Sequence, residues 1–208
     1  PFNPDRQHKS ITKISNTPLR TMKPSKNRYF LLICFLASTF LYSQYKIIPE
    51  PGYSPQIGIM VDMLEELKDR ITAEVQDLNQ EQTDYLMDEQ ANSIGAMVMH
   101  LVANESYYQV ETLEGRQWTE EEAGLLQLAG GMGPESREAL KGKPIKYYLD
   151  LWDTVREKTL AGLKKRDDAW FASNIEEGIN NHWVWFHVME HMAAHMGQIA
   201  LVKKRLPQ

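Results

Sequence analysis

Residues 181–202 read NHWVWFHVMEHMAAHMGQIALV. Histidines recur in this stretch every four residues, at His187, His191 and His195. Residues four apart lie on one face of an α-helix, so the three imidazoles are predicted to stack on a single face. Five aliphatic and methionine side chains share that face: Val184, Val188, Met192, Ile199 and Val202. The stretch therefore predicts a long helix whose histidine face points into the protein core.

Three further segments upstream repeat the helical spacing of apolar residues. The four predicted helices cover Gln56–Leu78, Ser93 to about Leu113, Pro144 to about Lys165, and Asn180 or Asn181 to about Arg205. Ser93 and the asparagines are good helix caps, Pro144 suits a helix start, and Gly115 suits a helix end.

The connection between the second and third predicted helices, residues 116–142, is long and rich in glycine, and Glu120–Leu128 within it is a candidate short helix. The polar residues Asn79–Asn92 break the helical pattern between the first two helices, and no alternating strand pattern of convincing length is present. The sequence predicts an all-α protein, a four-helix bundle with one long connection between helices 2 and 3.

Composition and charge narrow the class of protein. Hydrophobic residues make up 42% and charged residues 25% of the chain, which excludes collagen-like, disordered and multi-pass membrane proteins. Residues 1–43 carry seven Lys and Arg side chains and one acid, so the rest of the chain has a net charge of about −11. We therefore expect no nucleic-acid partner. The single cysteine, Cys34, excludes an intramolecular disulfide and a thiolate metal cluster.

The N-terminal residues have the pattern of a targeting segment. Residues 22–43 combine a basic start, an apolar run and a final Ser43, which predicts a bacterial signal peptide cleaved after Ser43. An uncleaved N-terminal anchor is the alternative. Residues 1–21 are interpreted as an untranslated or disordered upstream segment, and residues 44–208 as the folded domain. We expect an exported protein, periplasmic or secreted, with no stable membrane insertion after cleavage.

The histidines predict a metal site. His100 lies between Met97 and Leu101, near the inward face of the second predicted helix. One histidine from this helix and a His-x-x-x-His pair from the last make a three-nitrogen set that leaves a metal position open. Two versions of the site remain open: His100, His191 and His195 as ligands, or the inverted zincin pattern His187-x-x-Glu190-His191 with Glu190 as general base.

Two segments resemble a known family. Residues 93–108, SIGAMVMHLVANESYY, are similar to the second helix of the DinB-like (damage-inducible) family, and residues 187–199 are similar to its last helix. The resemblance implies an up-down-down-up bundle that binds zinc or nickel through three histidines, here His100, His191 and His195. His187 matches a frequent additional histidine that supports the ligands. The family includes transferases and isomerases that use bacillithiol, mycothiol or glutathione, and dimers are common in it, so we expect that a homodimer can form.

The sequence leaves two functions open. The first is a metal-dependent hydrolase or thiol S-transferase acting on a small-molecule substrate, with Glu190 as the candidate catalytic acid or base. The second is a metal- or ligand-binding stress protein without turnover. Glu105 is a further candidate for orienting a histidine. The aromatic residues beside the histidines are expected to belong to the core; they are Tyr107, Tyr108, Trp183, Trp185 and Phe186.

Overall fold

The computed structural model describes residues 46–207, so the expectations for residues 1–21 and 22–43 lie outside the described residues. The helices are α1 (Pro55–Val75), α2 (Gln80–Asp84), α3 (Ile94–Tyr108), α4 (Glu120–Gly130), α5 (Pro134–Leu140), α6 (Ile145–Leu163), α7 (Asp168–Ala172) and α8 (Asn181–Lys203). A π-helical segment, Gln109–Glu114, continues α3. Strands β1 (Asn174–Glu176) and β2 (Ile179–Asn180) pair antiparallel. The architecture is all-α apart from this hairpin, as the sequence predicts.

The predicted helix boundaries follow from local chemistry. The Ser93 hydroxyl accepts a hydrogen bond from the Ala96 backbone N–H at 3.2 Å, and the Asn180 side chain accepts one from the Trp183 N–H at 2.8 Å. These contacts satisfy amide groups that have no partner within the first helical turn. Gly115 ends the π-helical segment with φ of +59°, a left-handed conformation that favours glycine.

Contacts between helices give the directions of the bundle. The ends of α1 and α8 meet, since the Lys203 ammonium lies 3.3 Å from the Glu74 carboxylate, so these two helices run parallel. Gly95 near the start of α3 lies against Tyr148 near the start of α6, so α3 and α6 also run parallel. His100 near the start of α3 contacts His191 of α8, whereas Tyr108 at the end of α3 contacts His187, which is nearer the start of α8, so α3 and α8 run antiparallel. The order of directions is up-down-down-up for α1, α3, α6 and α8.

The parallel arrangement of α3 and α6 explains the long connection between them. A chain that leaves the end of one helix must return along the bundle before it can start a parallel neighbour. Residues 115–144 make this return, and α4 packs against α3 on the way. The connection is more regular than its glycine content suggests, because it folds into both α4 and α5.

Two short elements lie outside the four predicted helices and their long connection. The polar stretch after the first predicted helix contains α2, whose N-terminus is capped by two reciprocal hydrogen bonds between Asn79 and Gln82. The β1–β2 hairpin occurs where no strand is predicted, because strands of three and two residues are too short to show alternation.

Large apolar side chains fill the space between the four long helices. The bulkiest of the fully buried ones are Trp152, Trp185, Tyr148 and Phe171. Within residues 46–207, no helix is both long enough and apolar enough to cross a membrane.

Candidate metal centre

Three histidines from two helices converge inside the bundle. His100 comes from α3, and His191 and His195 come from successive turns of α8. One ligand nitrogen from each residue lies within 4.8 Å of the other two, and the Nε2 atoms of His100 and His191 are 2.8 Å apart. The three ring centroids are 4.6–4.9 Å from one another. We call these residues the three-histidine cluster. They are the set in the first version of the predicted site.

A backbone carbonyl fixes the orientation of His100. The Nδ1 atom of this ring lies 3.0 Å from the Ala129 carbonyl oxygen of α4. A carbonyl oxygen only accepts hydrogen bonds, so Nδ1 carries the proton and Nε2 presents its lone pair to His191 and His195. The long connection thus supplies the group that turns His100 toward the cluster, which the sequence does not reveal.

Burial favours the neutral, ligand-competent form of each imidazole. It lowers the pKa of His100, against the opposing effect of the Ala129 hydrogen bond. Burial and the neighbouring histidines lower the pKa of His191 to about 4. The pKa of His195 is lowered by burial and by His100. Neutral imidazole nitrogen is the form that binds a metal.

The cluster also fits a metal ion by its donor set and its hydrogen bonding. His195 is buried, and its Nδ1 atom has no hydrogen-bond partner among the described residues. Buried polar atoms without partners are costly, by about 1–3 kcal/mol each. Imidazole nitrogens suit zinc, copper, iron and nickel. His100, His191 and His195 could therefore hold a divalent metal ion.

His187 and Glu190 lie beside the cluster. His187 is one turn from His191, with ring centroids 5.6 Å apart, and its Nδ1 atom lies 2.9 Å from the Glu190 carboxylate. The Glu190 side chain is half-exposed. Within residues 46–207, the residues of the inverted zincin pattern, His187, Glu190 and His191, do not bring three ligand atoms close enough together to hold a metal ion. The catalytic role of Glu190 stays a prediction.

Glu105 has a different role from the predicted one of orienting a histidine. Its carboxylate is buried and accepts hydrogen bonds from the Arg156 guanidinium at 2.7 and 2.8 Å, and from the Trp152 indole N–H at 2.9 Å. Arg156 also contacts Glu65 at 2.6 Å and the Met192 sulfur at 3.6 Å. This buried ion pair joins α1, α3, α6 and α8, and it reaches α8 at Met192, the residue that follows His191.

The aromatic residues of α8 divide between the core and the surface. Trp185 is fully buried, as expected. Trp183 and Phe186 are exposed, and so is Tyr107 of α3, so the expectation that they belong to the core is wrong for these three. Helix α8 is apolar on more than one face, so its spacing does not show which aromatic residues point outward.

The fold and the cluster define the class of protein: an all-α bundle with three convergent histidines from two antiparallel helices. Residues 59–208 match the family model of the mycothiol-S-transferases. The chain belongs to this DinB-like, metal-binding family, which confirms the resemblance seen in residues 93–108 and 187–199. No curated protein sequence matches the chain significantly.

Proposed function

We propose that this protein is an exported metal-dependent S-transferase that joins a small thiol to a second small molecule. One divalent ion, zinc or nickel, would be held by His100, His191 and His195. The observation that carries the proposal is the convergence of three imidazole nitrogens, all within 4.8 Å of one another, in a member of the mycothiol-S-transferase family.

The residues around the cluster support this chemistry. When bound, an ion at three imidazoles supplies a Lewis acid that favours the ionised, nucleophilic form of a thiol or of water. The Ala129 carbonyl holds His100 in the tautomer that such an ion requires. Glu190 is proposed to accept the proton that the nucleophile loses, either directly or through His187, to which it is hydrogen-bonded.

The first experiment measures the metal content of the purified protein by elemental mass spectrometry. We expect one equivalent of zinc or nickel in the wild type, almost none in His195→Ala, and a partial loss in His187→Ala. Circular dichroism checks that each variant keeps its helices. A wild-type protein that neither contains nor takes up metal would refute the proposal. An empty His187→Ala variant beside a loaded His195→Ala variant would instead favour the inverted zincin ligands.

The second experiment measures turnover of the metal-loaded protein. Mycothiol, bacillithiol and glutathione are each incubated with aryl halide electrophiles, and the loss of free thiol is followed. S-transfer should depend on both the metal and the thiol. Release of halide without thiol consumption would indicate hydrolysis. Full metal occupancy without any turnover across these substrates would favour the non-catalytic metal-binding function.

Export is proposed from residues 22–43 and is tested separately. In a bacterial host, the N-terminal sequence of the protein from the periplasmic or secreted fraction should begin at Gln44. Recovery of the protein in the membrane fraction with residues 22–43 intact would favour the uncleaved anchor.

A further inference from the structure

A row of five aromatic rings passes beside the three-histidine cluster. The row consists of Trp118, Tyr107, Tyr108, His187 and Trp183, and we call it the aromatic row. At one end of the row, Trp183 stacks on His187 with centroids 5.4 Å apart and an interplanar angle of 4°. Tyr108 meets the His187 ring edge-on at 5.7 Å. His187, which lies between these two rings, is the member of the row that contacts His191, with centroids 5.6 Å apart.

The row reaches solvent on both sides of His187. Tyr107 contacts Tyr108 edge-on at 4.9 Å and stacks on Trp118 at 5.2 Å. Tyr107 is 43% exposed and Trp183 is 47% exposed. Three separate parts of the chain, in α3, α8 and the loop before α4, thus place rings side by side at the surface. A contiguous exposed patch of this kind is typical of a binding surface, whereas scattered exposed apolar residues are not.

The charges around the aromatic row are acidic. Burial raises the pKa of Tyr107, and the nearby carboxylates of Glu111 and Glu176 raise it further. Glu190 lies against His187, the ring of the row that is next to the cluster. The cationic residue close to the row in sequence, Arg116, is paired with Glu114 and Glu122. The row therefore disfavours an anion and favours a neutral or cationic group.

We propose that the aromatic row binds a planar aromatic group, uncharged or positively charged, on the molecule whose reactive end reaches the three-histidine cluster. The position of the reactive end rests on the proposed function, whereas the binding of the aromatic group does not. Ring faces give a flat partner stacking contact that an aliphatic group of equal size cannot match. A positive charge adds attraction to the ring faces and to the surrounding carboxylates.

The test compares three probes by isothermal titration calorimetry on the full protein kept metal-free with a chelator. The probes are 2-naphthylmethylammonium, 2-naphthalenesulfonate and cyclohexylmethylammonium, which separate ring planarity from charge. We expect 2-naphthylmethylammonium to bind about five-fold or more tightly than either of the other two. Sulfonate binding as tight as that of the ammonium probe, or no measurable naphthyl binding, would overturn the proposal.

Single-residue variants locate the binding site. Trp183→Ala and Tyr107→Ala should each weaken 2-naphthylmethylammonium binding by about three- to ten-fold. Tyr147 provides a matched control, since it is 40% exposed and meets Tyr148 edge-on at 5.3 Å, as Tyr107 meets Tyr108. Tyr147 lies near the start of α6, which packs at the opposite end of α3. Tyr147→Ala should leave the affinity unchanged, and an equal loss in this control would overturn the proposal.

This design separates the aromatic row from the proposed catalysis. Since binding is measured without metal, a protein that fails the metal or turnover assays can still bind the naphthyl ammonium probe. Conversely, a metal-loaded and active protein that does not bind this probe would overturn the inference about the row and leave the proposed function standing.

Discussion

Removing one partner of the buried ion pair should destabilise the fold far more than removing a surface charge. In Arg156→Met, the Glu105 carboxylate keeps the hydrogen bond from Trp152 but loses both of those from the guanidinium. Glu105 is 1% and Arg156 is 3% exposed, so water cannot replace the lost partner. Breaking a pair that is buried to this extent typically costs about 3–5 kcal/mol.

The comparison variant is Lys146→Met, which removes an exposed i,i+4 pair with Asp150 on the same helix. Exposed pairs of this kind contribute about 0.3–0.5 kcal/mol. Urea unfolding followed by circular dichroism gives the free energy of unfolding of each variant. We expect Arg156→Met to lose at least about 3 kcal/mol and Lys146→Met to lose less than about 0.5 kcal/mol.

The double variant Glu105→Leu/Arg156→Met keeps this reasoning testable if Arg156→Met does not fold. It removes both charges together, so no uncompensated carboxylate remains, and it should be more stable than Arg156→Met alone. An Arg156→Met variant that loses less than about 1 kcal/mol would show that the pair is not the buried contact described above.

Three further predictions concern other contacts. Burial acts to raise the pKa of Glu105, but Arg156 lowers it below the usual glutamate value of 4.5. The carboxylate therefore stabilises the fold above pH 4.5, and this stabilisation is lost as the pH falls. Glu105→Gln should lower the free energy of unfolding at pH 7 and should make that free energy fall less steeply in an acid titration. Gly95→Ala should cost about 1–3 kcal/mol in urea unfolding, because its Cβ would lie 2.9 Å from the buried Tyr148 ring. Ser136→Ala should weaken metal binding by about ten-fold in competition titrations, because the hydroxyl holds the Leu128 carbonyl next to the carbonyl that orients His100.

The predictions for Gly95 and Ser136 each have a control in the same chain. Gly124 lies in α4, and a Cβ added to it would have nothing within 4 Å, so Gly124→Ala should be neutral or stabilising by up to about 1 kcal/mol. Thr154→Ala removes a hydroxyl that also donates to a backbone carbonyl, that of Asp150 at 3.0 Å, and should leave metal affinity unchanged. Equal effects in a variant and its control, or an unchanged acid response in Glu105→Gln, would contradict the corresponding prediction.

The long helices and the histidine set could be predicted because their signals are local. The spacing of apolar residues predicts each long helix from its own segment alone. The boundaries are marked by single residues within or beside that segment, such as Ser93, Pro144 and Gly115. The spacing of His191 and His195 places them on one helical face whatever the rest of the chain does. His100 could be added because it lies near the inward face of its own helix.

The remaining features depend on contacts between distant residues. Arg156 has the sequence environment of a solvent-exposed arginine, and its partner Glu105 is 51 residues away. The Ala129 carbonyl carries no side-chain signal at all, since every residue has the same backbone acceptor. The exposure of Trp183 could not be predicted because α8 is apolar around much of its circumference, and only packing against α1 and α3 decides which face is covered.

The ion pair and the cluster are connected by the register of α3 against its neighbours. Helix α8 alone sets the spacing of two histidines, but His100 joins them only if α3 is held at the right height. A slip of one helical turn moves a residue by about 5.4 Å, which exceeds the 4.8 Å within which all three ligand atoms lie. Close packing, as between Gly95 and Tyr148, opposes such a slip, and the hydrogen bonds of Glu105 to Arg156 and of His100 to Ala129 add directional contacts that a slip would break. The geometry of the three-histidine cluster therefore depends on these two hydrogen-bonded contacts, one to α6 and one to α4, together with the packing of α3.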